Sequence, residues 1–264
     1  MYVISRALEF QALKNVGTSS DTTVPTLPVD LGADLACVFD PHLTSSSPYH
    51  PLSSSICLNA LMSLSWHTRE SGSAALRTNP IWRRDILELC IYRWMSRASS
   101  LGNSVDFSTQ VLFHMTLLTI LSNISIIYKF ARSQVSHRKH ECEARRAVRD
   151  WHQSDDCGAA IWHATELITL TKQHTIFSLS SDVRGHDSAA PTKRRSFQEA
   201  PHVAICVYSA TLVLWSVAYS QDQPDLDMSR FSLESGIHIL SCLNVRMAEM
   251  LANVLKHLGS SSSE

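Results

Sequence analysis

The chain has 264 residues, 44% of them hydrophobic and 18% charged, which suits a folded, rather apolar protein with a substantial core better than a disordered one. Lys plus Arg number 23 and Asp plus Glu 24, giving a net charge of -1 and a pI near 6.9. That balance argues against a domain that grips nucleic acid by its own basic surface. The 8 glycines are scattered and form neither a GxGxxG element nor a P-loop.

Seven cysteines (Cys37, Cys57, Cys90, Cys142, Cys157, Cys206, Cys242) are dispersed, odd in number and without a CxxC pair, so no zinc finger or ribbon is encoded among them. Most sit in apolar helical patterns, where a reduced cysteine behaves as a small hydrophobe. The opening "MYVISRALEFQALKN" has too short an apolar run for a secretory signal, and a reducing, intracellular location is expected.

Residues 1–53 carry "VGTSSDTTVPTLPVD" and "DPHLTSSSPYHPLSSS", Ser/Thr/Pro-rich stretches expected to be poorly ordered. Between them "LGADLACVF" is an apolar island. From residue 54 to 259 the pattern is that of an all-α domain. Ile56, Ala60, Leu61 and Leu64 recur at helical spacing, and Asn79 with Pro80 reads as a helix start. The following helix carries Ile81, Trp82, Ile86, Leu89 and Trp94 on an apolar stripe. Arg83, Arg84, Glu88 and Arg97 are expected to face water.

Asp106 is expected to cap "FSTQVLFHMTLLTILSNISIIYKFAR", one long helix or two joined near Ser122-Asn123. A charged helix follows, with Cys142, Ala144 and Val148 inward. Ser154, Asp155 and Asp156 read as an N-cap and acidic first turn of a helix running to about Gln173. Its stripe is Cys157, Ala160, Ile161, Ala164, Leu167, Ile168 and Thr171, with His163 at the edge and Trp162 nearly opposite. Residues 178–199 read as an exposed loop. An apolar helix starts near Pro201, and a last helix or pair is kinked near Gly236 and stopped by Gly259. Residues 260–264 form a tail. The predicted architecture is a multi-helix bundle or irregular helical array. No Asp, Glu, Lys or Arg falls between Asp106 and Lys129 or between Glu199 and Asp222, so each stretch is either a buried core helix or a membrane span; core helices are the expectation.

Catalytic and metal-binding motifs along the chain are incomplete. "HECEA" starts like the zinc-binding HExxH helix but has Ala144 where the second histidine belongs, and His137, His140 and Glu141 lie among arginines and Lys139. "DDCGA" starts like the DDxxD element of all-α terpenoid synthases, but the third acid is missing. An enzyme of that type using Asp155 and Asp156, and a helical membrane protein, are the alternative readings. No GxSxG elbow is present. Lys193, Arg194 and Arg195 form a minimal candidate nuclear-import patch.

Three stretches, "FHMTLLTILSNISIIYKFA", "EARRAVRDWHQSDDCGAAIWHATELITL" and "APHVAICVYSATLVLWSVAYS", together resemble the regulatory middle region of fungal-specific transcription factors. The resemblance spans roughly residues 55–258. It rests on His114 at a helix start, Trp151 before a capped helix, an Ala160-x-Trp162-His163-Ala164 core, and Val207, Tyr208, Ala210, Leu212, Leu214 and Trp215. It implies a non-enzymatic helical domain in which His114, Trp151, Trp162, His163, Tyr208 and Trp215 are structural or regulatory, with no cofactor in this chain. It also implies that zinc and DNA contact belong to a zinc-finger or zinc-cluster module not encoded in this chain. Further implications are protein partners (a second copy or another transcription factor), no membrane, and a nuclear location with or without a cytoplasmic share.

Overall fold

The computed structural model describes residues 51–70, 84–100, 105–136, 141–183, 202–221 and 223–261. Among these residues lie helices α1 (Pro51–Glu70), α2 (Arg84–Ser100), α3 (Phe107–Leu121), α4 (Ile124–Ser136) and α5 (Glu141–His152). They are followed by α6 (Asp156–Val183), α7 (His202–Tyr219), α8 (Leu226–Cys242) and α9 (Arg246–Ser261). The fold is all-α, with no strand among the described residues. The Asn79-Pro80 helix start, His137 and His140, the Lys193–Arg195 run and residues 1–50 lie outside them.

The two charge-free stretches become the hubs of the array. Helix α3 packs on α1, α2, α6 and α7, while α7 packs on every helix from α3 to α9. Burial on all sides explains why these helices carry apolar residues all round. Three of their buried threonines are satisfied within the helix: Thr116 donates to the Leu112 carbonyl at 2.7 Å, Thr119 to Met115 at 2.8 Å and Thr211 to Val207 at 2.8 Å. By length and composition α7 would also pass as a membrane span, and α3 with α4 would pass together across a bend of 84°. In the fold, 67% of the α7 span is buried inside the protein.

The bend between α3 and α4 has a local cause. Asp106 caps α3, its Oδ2 accepting the Thr109 N–H at 3.0 Å and its Oδ1 the Thr109 hydroxyl at 2.6 Å. At the other end the Ser122 hydroxyl returns to the Leu118 carbonyl at 2.6 Å. Asn123 then starts a new helix by accepting the Ile126 N–H at 3.3 Å. The sequence's choice between one helix and two resolves as two.

Several expectations are corrected. Helix α1 begins at Pro51, three residues early, and α6 runs to Val183, so 178–183 is helix and not loop. Leu89 is exposed; the inward face of α2 is instead Leu87, Cys90, Ile91, Trp94 and Ala98. The Ser154 hydroxyl does not cap α6: it donates to the Trp151 carbonyl at 2.6 Å and so finishes α5. Gly236 is not a kink. The break falls between Cys242 and Arg246, and Gly236 lies inside α8, where an added Cβ would come within 2.2 Å of Thr211 Oγ1. That glycine permits α8 and α7 to approach closely. Gly259 is no stop either, since α9 continues to Ser261.

Candidate functional site

Helices α3 and α6 pack closely, and α2 packs on α3 beside them. Where the three meet, His114 of α3 and His163 of α6, 49 residues apart in sequence, join Nδ1 to Nδ1 at 3.0 Å. The other ring nitrogen of His163, Nε2, lies 3.0 Å from the Tyr92 hydroxyl of α2. Phe113 stands edge-on to His114, Tyr92 and His163, while Trp162 crosses His163 edge-on at 4.7 Å and lies 5.7 Å from His114.

The sequence explains how these side chains converge. His163 sits at the margin of the α6 stripe formed by Cys157, Ala160, Ala164, Leu167 and Thr171, all buried, so its ring is carried against α3. The small side chains of Ala160, one turn before it, and Ala164, the next residue, let the α3 backbone come near. Trp162, one residue earlier, leaves in another direction and remains 53% exposed, while Tyr92 is 42% exposed. The cluster thus has an aqueous rim and a dry floor.

Burial drives both imidazoles toward the neutral form. His114 is lowered to about 4 by desolvation, and His163 to about 4 by desolvation and by its neighbour His114. The Tyr92 phenol is raised, chiefly by burial and further by Glu88. Two neutral rings at 3.0 Å share one proton. If His114 carries it, His163 presents Nε2–H to the Tyr92 oxygen. If His163 carries it, the Tyr92 hydroxyl donates to Nε2. Tautomer choice is therefore coupled along the whole chain of three side chains.

The remaining residues singled out from sequence lie at other helix junctions. The Trp151 indole N–H donates to the Leu121 carbonyl at 3.0 Å, tying α5 to the end of α3. Tyr208 lies 5.8 Å from Tyr128, whose hydroxyl meets Ser209 Oγ at 2.6 Å; burial pushes the Tyr128 phenol up to about 12. Trp215, fully buried, stacks with Tyr219 at 5.0 Å and lies 5.3 Å from Phe130, and the Arg145 guanidinium covers Tyr219 at 6.0 Å. Among the described residues the Trp215 indole N–H has no hydrogen-bond partner, a burial that costs about 1–3 kcal/mol.

Sequence reasoning missed Tyr92, Phe113, Tyr128 and Arg145, and also the Phe107–His174 stack at 3.8 Å and the Ser108–His202 contact at 3.1 Å. Each pairing joins separate helices, so no local spacing announces it. The acidic pair separates: Asp155 is exposed, whereas the Asp156 carboxylate is gripped in bidentate fashion by Arg84 of α2. Among the described residues no three His, Cys, Asp or Glu side chains converge as a metal site.

No protein-family model, no curated protein and no solved structure matches the chain.

Proposed function

We propose that this chain is the regulatory helical domain of a fungal-type transcription factor, acting on RNA polymerase II transcription without catalysing a reaction. The reading rests on the resemblance of its three apolar stretches to that region. One observation supports it most: the residues that carry the resemblance are those through which separate helices touch. His114, Trp162 and His163 meet between α3 and α6, Trp151 ties α5 to α3, and Trp215 lies in the α4–α7 stack. Helix contacts of this kind suit a regulatory body whose packing is set by a partner or effector.

Under this reading DNA contact and zinc come from a separate module or partner, and the protein acts in the nucleus, with or without a cytoplasmic share. Its partners are proteins, either a second copy or another transcription factor. The test is a fusion of the chain to a heterologous DNA-binding domain at a reporter promoter in a fungal host, together with imaging of the tagged chain. Reporter output that differs from the DNA-binding domain alone, with nuclear signal, is expected. Unchanged output together with a purely cytosolic or membrane-bound signal refutes the proposal.

A further inference from the structure

The outer face of α6, with the turn residue just before it, carries a second stripe opposite the buried one: Asp155, Ala159, Trp162 and Glu166, at i, i+4, i+7 and i+11. At its N-terminal end Gly158 and Ala159 are both exposed, and a Cβ at Gly158 would meet nothing within 4 Å. This leaves an open shelf one turn below the Trp162 ring. Helix α2 runs alongside in the same direction, since Arg84 meets Asp156 and, two turns on, Tyr92 meets His163. From α2 come the half-exposed Tyr92 and Leu89, and Glu88, whose charge acts on the Tyr92 phenol.

The chemistry of this face is mainly acidic, with the half-buried Arg93 at its far margin beyond Leu89. Two partly exposed aromatic rings stand with the carboxylates of Asp155, Glu88 and Glu166, none of which has a salt-bridge partner among the described residues. Arg84, at the end of the same helix pair, is already held by Asp156. Aromatic faces beside unpaired carboxylates attract Lys and Arg side chains through both cation–π and ionic contact. From Asp155 to Glu166 the stripe covers about 16 Å at the helical rise. That is too long for one small cation, and it matches about five residues of extended peptide.

We propose that this face of α2 and α6 docks a Lys/Arg-rich extended segment of a partner protein. The charge complementarity selects a basic peptide, and Trp162 supplies the ring on which one guanidinium or ammonium lies. The Gly158–Ala159 shelf admits the stem of the neighbouring side chain. The inference does not depend on the transcriptional reading.

The experiment uses the full chain and the acetylated peptide Gly-Lys-Arg-Lys-Arg-Lys-Gly, followed through the tryptophan indole N–H signals. The Trp162 signal is assigned by its loss in Trp162→Phe. A saturating shift of that signal, with the buried Trp215 indole unmoved, is expected. Trp162→Leu should weaken binding about threefold, and the Glu88→Gln/Asp155→Asn/Glu166→Gln variant about tenfold. These substitutions lie on the surface, and an unchanged Trp215 signal certifies that the variants are folded. No shift of the Trp162 signal overturns the proposal, as does equal binding by the carboxylate variant. It is also overturned if Lys193→Ala/Arg194→Ala/Arg195→Ala moves the Trp162 signal without peptide and tightens peptide binding, because the occupant would then be the chain's own basic run.

Discussion

Acidification should loosen this protein through the His114–His163 pair before carboxylates begin to titrate. Both rings are held neutral in the fold, lowered from 6.5 to about 4. The unfolded chain therefore takes up protons first as the pH drops, and native stability is fully present above about 6.5 and lost toward 4. At pH 5 that difference, counted in full, is about 2 kcal/mol per ring. Water at the Trp162 and Tyr92 rim screens part of it, so about 2 kcal/mol for the pair together is the working figure. The assay is urea unfolding followed by far-UV circular dichroism at half-unit steps from pH 7.5 to 5. A His114→Gln/His163→Gln variant serves as comparison, starting less stable because the shared proton bridge is gone. The variant's stability should fall by about 2 kcal/mol less over that interval than the wild type's. His174 and His202 are also lowered by burial and contribute the same slope to both proteins, so the difference isolates the pair. Parallel loss of stability in the two proteins would refute the reasoning.

Gly236→Ala should destabilise the fold by about 1–3 kcal/mol in thermal unfolding, even though alanine favours helix, because the new Cβ meets Thr211 Oγ1 at 2.2 Å and Thr211 Cβ at 2.8 Å. Adding Thr211→Ala, which removes both Oγ1 and the Cγ2 that stands at 2.5 Å, should recover only part of this, since the 2.8 Å contact with Cβ persists; full recovery would refute the part assigned to that contact. Trp151→Phe, which keeps a ring but removes the donor to Leu121, should cost about 1 kcal/mol and leave the Leu121 carbonyl to solvent, as measured by chemical denaturation. Thiol labelling of the native protein with mass-spectrometric mapping should modify exposed Cys242 quickly. It should spare Cys157 and Cys206, which are buried and raised to about 11 and about 12, until the chain unfolds.

What was legible in the sequence follows the range of the interactions. Asp106 as a cap and the break at Ser122-Asn123 depend on residues three or four apart, so the local pattern contains them. The buried stripe of α6 was legible for the same reason: Cys157, Ala160, Ala164, Leu167 and Thr171 are inside, while Ile161 and Ile168 lie half-buried at its margins. The errors came where a local rule met a partner from elsewhere. Ser154 has the chemistry of a cap, yet its hydroxyl is spent on Trp151. Gly236 and Gly259 carry helix-breaking propensity, but packing keeps both inside helices, the first because Thr211 leaves no room for a side chain.

The pair Trp162 and His163 shows why the candidate site was half visible. Consecutive helical residues point about 100° apart, so with His163 at the edge of the packed stripe Trp162, on its outer side, falls outside it. The sequence states that divergence but not what stands on either side of it. Only α3 brings His114 to His163, and only α2 brings Tyr92, across separations of 49 and 71 residues. One dipeptide thereby joins a dry hydrogen-bonded floor to an exposed aromatic rim. The Trp162 ring lies 4.7 Å from His163 and 5.7 Å from His114, so a cation held on it would stand close to the pair, and binding at the rim and protonation of the pair are expected to be linked. A cationic occupant there must lower the pair's affinity for protons, and a proton taken up by the pair must weaken that occupant by the same factor.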